Sequence, residues 1–82
     1  MQIATSPKVL GQILKSFRLQ KGLNQHQAGE LVGLTQAMVS RIERGESNAR
    51  IDTLFRLLAA LGMEMIVQSK GTGRDSSDGE KW

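Results

Sequence analysis

The chain contains no cysteine. That excludes a disulfide framework, a thiolate metal site and a cysteine nucleophile, and it fits a reducing compartment. His26 is the one histidine. Metal sites need several convergent ligands, so His26 reads as a surface side chain. No apolar run approaches the roughly 18–20 residues that cross a bilayer. The opening stretch, MQIATSPKVLGQ, lacks the basic flank, apolar core and cleavage site of a secretory signal. A cytoplasmic location is expected. Paired carboxylates, a nucleophile–base set and a metal cluster are all missing from the pattern. Neither an enzyme nor a cofactor is expected. Gly71-Thr72-Gly73 is too short for a phosphate loop and reads as a flexible linker.

What is present is 82 residues, enough for one domain with a small core. Chains of this size often gain stability by pairing. The formal charge is +3. Beyond residue 68, Lys70, Arg74 and Lys81 balance Asp75, Asp78 and Glu80, so all the excess lies in residues 1–68. A basic folded part with a neutral tail suits nucleic acid as partner, although the same charge also serves solubility alone.

Residues 1–5 carry no helical signal, and Gln2 to Ala4 can form a short extended arm. Ser6-Pro7 is a helix start. The first helix should run to about Gln20, with Val9, Leu10, Ile13, Leu14 and Phe17 inward. Gly22 ends it, and Leu23 packs back. From Asn24 to Gly45 the pattern is two short helices joined by a tight turn. Asn24 and Gln27 can close a capping box, Gly33 and Leu34 make the turn, and Thr35 can cap the second helix. The expected buried set is Ala28, Leu31, Val32, Leu34, Val39 and Ile42. Gly29, mid-helix, costs about 1 kcal/mol relative to Ala and implies close approach of a neighbouring helix.

On the second short helix, Gln36, Ala37, Ser40, Arg41 and Arg44 share the face opposite Val39 and Ile42. Gln pairs bidentately with adenine, Arg with guanine, and the Ala37 methyl can touch a thymine methyl. The rival reading is a solvated face with surface pairs to Glu43 and Glu46. The capped preceding helix, the turn and the basic surplus favour DNA reading.

After a polar loop, Glu46 to Arg50, a fourth helix covers about Ile51 to Leu61, and Gly62 stops it. Its apolar residues, including Ile51 and Phe55, exceed what one copy can bury, which suggests a subunit interface. Met63, Met65 and Val67 then alternate with Glu64, Ile66 and Gln68, a strand-like period. A lone strand needs a partner, and the same strand of a second copy is the simplest one. Residues 69–82 are Gly, Ser and charge until the final Trp82. They cannot bury enough apolar area to order themselves. Trp82 can anchor in a pocket on another molecule, can fold back, or can be a chance terminal residue. The organisation is therefore a DNA-binding and dimerisation domain, 1–68, and a disordered tail, 69–82.

Gly22-Leu23-Asn24-Gln25, Gly33-Leu34-Thr35-Gln36 and Val39 through Gly45 resemble the Xre/Cro (phage-repressor) helix-turn-helix family. Asp52-Thr53-Leu54 through Gly62 resembles its last helix. The resemblance implies an all-α bundle of four to five helices. The Ser-Pro start, the strand, the polar tail and the C-terminal Trp resemble the HipB antitoxins of that family, which repress their own operon and pair with a HipA-like kinase toxin. It implies base-reading roles for Gln36, Ala37, Ser40 and Arg41, and phosphate contacts for Gln25, Thr35 and Arg44. It implies a partly buried ion pair between Arg18 and Glu43. It also implies an intersubunit strand through Met63, Met65, Ile66 and Val67, and toxin docking by Trp82. The implied partners are a homodimer mate, an inverted-repeat DNA operator and a kinase toxin. Ala28, Gly29, Ala49 and Arg50 depart from the usual Leu, Ala, Pro and Ser or Thr of the family, so the core is thin at the first pair and the second pair leaves the start of the last helix open. The alternatives are a stand-alone or phage-type repressor with no toxin partner, and an interaction module that has lost DNA binding.

Overall fold

A computed structural model describes residues 2–46 and 49–70. The linker reading of Gly71 to Gly73, the anchor reading of Trp82 and part of the loop after Glu46 lie outside the described residues. Four helices follow one another: α1 (Pro7–Gln20), α2 (Gln25–Val32), α3 (Gln36–Glu43) and α4 (Ile51–Ala60).

Local chemistry explains each boundary. The Ser6 side chain accepts from the Val9 N–H, and Pro7, which has no N–H to leave unpaired, opens α1. Two residues past the end of α3, Gly45 turns the chain with a φ of 76° that needs the glycine backbone. There the Gly45 N–H donates to the Ile42 carbonyl and the Glu46 N–H to the Arg41 carbonyl. This double closure satisfies carbonyls that a helix end leaves orphaned. α4 starts at Ile51 with Arg50 at its cap position, and Arg50 makes no side-chain cap hydrogen bond. Asp52 compensates in part, its Oδ1 accepting from the Thr53 N–H at 2.8 Å.

The core gathers Leu14, Val32, Ile42, Leu57, Leu58 and Leu61, with Leu10, Leu23, Leu34, Leu54 and Met63 packed against it. Each fully buried Leu contributes roughly 1.5–3 kcal/mol. Two glycines let helices approach closely. A Cβ at Gly29 would lie 2.5 Å from the Leu34 carbonyl oxygen and 3.3 Å from a Val39 methyl. A Cβ at Gly11 would lie 2.4 Å from the Glu43 carbonyl oxygen and 2.5 Å from that of Ile42. The backbone of α1 therefore rests directly on the end of α3.

Leu31 departs from the expected buried set, being 59% exposed. The small pair Ala28 and Gly29 turns α2 so that 28, 29 and 32 face inward, and Leu31 falls about a sixth of a turn outside that arc. Ile51 and Phe55 are likewise exposed, in keeping with the surplus of apolar residues on α4. Among the described residues there is no strand. Residues 63–68 leave α4 through the Met63 N–H, bonded to the Leu58 carbonyl at 2.8 Å, and run on without a ladder partner in the single chain.

Candidate nucleic-acid interface

The α2–turn–α3 unit is built from reciprocal caps. Asn24 Oδ1 accepts from the Gln27 N–H at 2.7 Å, and Gln27 Oε1 accepts from the Asn24 N–H at 2.9 Å. Gly33, at φ 76°, makes the turn, with the Leu34 N–H reaching back to the Gly29 carbonyl. Thr35 Oγ1 then accepts from the Met38 N–H at 3.2 Å and starts α3. The first turns of α1, α2 and α3 hold no acidic residue. Their positive ends stay uncompensated, which suits anionic neighbours.

α3 divides cleanly. Val39, Ile42 and Glu43 are buried; Gln36, Ala37, Arg41 and Arg44 are exposed, and Ser40 is half-buried. The five residues thus lie along one side of one helix. Met38, 40% exposed, borders that side and had no signal of its own.

The helix is fixed in rotation by a buried polar cluster. Arg18 Nε donates to Glu43 Oε2 at 2.6 Å and Nη2 to Oε1 at 3.0 Å, with both side chains buried. Arg18 Nη1 also donates to the Leu23 carbonyl at 2.8 Å. The fork geometry is the bidentate arrangement that Arg makes best. Gln25 Nε2 donates to Glu43 Oε1 at 3.0 Å, and Gln36 Nε2 donates to Gln25 Oε1 at 2.6 Å. Gln25, expected at a phosphate, therefore sits as a bridge between the ion pair and the exposed face. Its place at the first position of α2 was legible; its contact with Glu43, 18 residues away, was not.

Farther along the face, Arg44 donates to Ser40 Oγ through Nη1 and to Glu46 Oε1 through Nε at 3.2 Å. The Ser40 hydroxyl, having accepted, keeps its own proton to donate. The Arg41 side chain has no hydrogen bond or ion pair among the described residues. The face as a whole offers many donors, which match the acceptors of guanine edges and phosphates.

The strand candidates lie elsewhere. Met63 is half-buried, Met65 and Ile66 are exposed, and Val67 is 88% exposed. They flank an apolar groove bounded by residues 2–7 and 63–70 and floored by Leu10, Ile42, Leu54 and Leu58. His26 is an exposed partner of Glu30, and no group of three or more metal-ligating side chains occurs among the described residues. No described helix is long and apolar enough to cross a membrane.

The helix-turn-helix family model HTH_3 matches residues 14–66, and the chain belongs to that family. It is of the Xre type, and its architecture is that of HipB. The structure described as "HipB-O4 20mer complex" superposes with a TM-score of 0.75 at 28% identity, covering 85% of this chain and 99% of that one. The "HipA-HipB-O2-O3 complex" gives the same figures, a TM-score of 0.75 at 28% identity over 85% and 99%. In sequence, the chain is 42% identical over 54 residues to an uncharacterized HTH-type transcriptional regulator of Haemophilus influenzae, covering 66% of this chain. The chain spans about half the length of that curated relative, 55%.

Proposed function

We propose that this chain is a dimeric, sequence-specific DNA-binding repressor of its own operon and the antitoxin of a HipA-like kinase toxin, acting in the cytoplasm. The observation that carries the DNA reading is the α3 face itself: Gln36, Ala37, Ser40 and Arg41 stand together on a helix whose rotation the Arg18–Glu43 pair fixes. In this reading those four side chains meet base edges. Thr35 and Arg44 meet phosphates, and Gln25 adds a phosphate contact through its remaining N–H. Two copies would set their α3 helices about 34–36 Å apart on an inverted repeat. Support for the dimer comes from Met65, Ile66 and Val67, an apolar, unpaired segment beside a groove. The likeness to HipB, solved both with DNA and with HipA, supports the antitoxin role. Residues 1–68 would supply DNA binding and pairing, and the tail, ending in Trp82, would dock the toxin.

The test is co-purification of the chain with the product of its neighbouring gene, with and without Trp82, beside light scattering of the chain alone. A stable complex that weakens without Trp82, and a dimer at micromolar concentration, are expected. No complex, with operator binding intact, would leave a stand-alone repressor. A complex indifferent to Trp82 would move the toxin contact onto residues 1–68.

A further inference from the structure

Arg41 and Arg44, about a turn apart, are held differently. Arg44 is tied down within the protein, donating to Ser40 Oγ and to Glu46 Oε1. Arg41 has no hydrogen bond or ion pair among the described residues. The only acid on α3, Glu43, is buried against Arg18 and out of its reach. One turn before Arg41, where a helical side chain leans, stand Ala37 and Met38. Neither offers it an acceptor stronger than a thioether. Met38 is also the exception among the large apolar side chains of α3. Val39 and Ile42 are 1% and 6% exposed, whereas Met38 is 40% exposed. Arg41 thus rises from an apolar strip, with Ala37 on one flank and Met38 on the other.

That composition has a defined complement in a major groove. The O6 and N7 acceptors of guanine match a guanidinium. The apolar group that base edges display there is the C5 methyl of thymine. Cytosine carries the same group when it is methylated at C5. We propose that Met38 is a specificity-determining residue: with Arg41 on a guanine, Met38 packs against the C5 methyl of a pyrimidine in the adjoining base pair. This rests on the reading of Arg41 as a base-edge contact. The two side chains then read two neighbouring base pairs as a unit, one through donors and one through a methyl. A thioether is flexible and polarizable, so it settles on a methyl without a preformed cavity. Ala37 is shorter and lies on the opposite flank of Arg41, so it cannot take over that contact.

The experiment measures binding of the full chain to a duplex selected from random sequence by the wild-type protein, at fixed salt. Each thymine is exchanged in turn for deoxyuridine, which removes the methyl and keeps the hydrogen-bonding edge. The variants are Arg41→Ala, Met38→Ala and Met38→Gln, each checked for its melting temperature. Arg41→Ala locates its guanine by flattening the preference there; uniform weakening would remove the base-reading premise and the proposal with it. Given that guanine, deoxyuridine in the adjoining pair should weaken wild-type binding by about three- to fivefold, the value of one buried methyl. Met38→Ala and Met38→Gln should bind the thymine and deoxyuridine duplexes alike. In a further arm, cytosine replaces that thymine, with and without a C5 methyl. Methylation should strengthen wild-type binding by a similar factor and leave both variants unmoved. The proposal is overturned if the selected duplex has no thymine on either strand beside that guanine. It is also overturned if removing that methyl changes nothing, or weakens the variants as much as the wild type. The deoxyuridine arm needs only the wild-type protein, and Met38→Gln keeps the side-chain length should Met38→Ala not fold.

Discussion

Along the seam between α1 and α3 the chain satisfies itself: Arg18 and Glu43 are buried and bonded to each other, and Gly11 lets the two backbones touch. Across the bundle, the groove between residues 2–7 and 63–70 leaves Ile3, Ile66 and Val67 exposed. The seam is dense and polar at its centre; the groove is open and apolar. Buried polar groups hold only when every partner is in place, so a seam of this kind fixes geometry. An apolar groove sets no single geometry by itself and takes its definition from whatever covers it. The face that needs fixed geometry, on α3, is attached to the seam.

Substitutions should separate the two regions sharply. Arg18→Ala has the largest expected effect. It leaves the Glu43 carboxylate buried and unpaired, costing about 3–5 kcal/mol, and should lower the melting temperature by roughly 15 °C or more. A variant melting within a few degrees of wild type would show that the seam relaxes. Gly11→Ala comes next. The helix gains about 0.5–1 kcal/mol in propensity, but the new methyl collides with the Glu43 and Ile42 carbonyls. Overpacking of this kind costs about 1–3 kcal/mol, and because backbone rather than a flexible side chain must yield, urea denaturation should show a net loss.

Arg41→Ala should leave folding unchanged and cost about 1–3 kcal/mol in binding, concentrated at one base pair of the selected duplex. Equal weakening on all sequences would make Arg41 a phosphate contact. Val67→Asp, in the groove region, should change the thermal stability of a single copy by no more than about 0.5 kcal/mol. Light scattering should nonetheless show a shift from dimer to monomer. An unchanged dimer would place pairing on another surface, with Ile51 and Phe55 the next residues to change.

Much of the fold was legible because its signals are local. Ser6-Pro7, the Asn24–Gln27 box, Thr35 and Gly45 each act within a few residues, and the helices they bound fall where spacing placed them. The placement of Leu31 was not legible. It depends on how deeply Ala28 and Gly29 let α2 settle, which is a tertiary quantity. Gly11 was also missed, although a signal existed: it lies three and seven residues before Leu14 and Arg18, on the face they share. The exposed α3 residues followed from 3.6 periodicity. The bridge through Gln25 did not, because it requires knowing that α1, α2 and α3 meet at one point.

The split of α3 into three buried and five outward positions also bears on how such a protein changes its target. Val39, Ile42 and Glu43 bind the helix to the rest of the bundle, while Ala37 and Arg41 make no side-chain hydrogen bond within it. A lineage or an engineer can rewrite Ala37 and Arg41 with little penalty to folding. Gln36 is the exception: tied to Gln25, it can be exchanged freely only if Gln25 changes with it. Under the proposed reading of this face, new binding sites should therefore arise first at the base pairs facing the untied positions, with the pair facing Gln36 the slowest to drift.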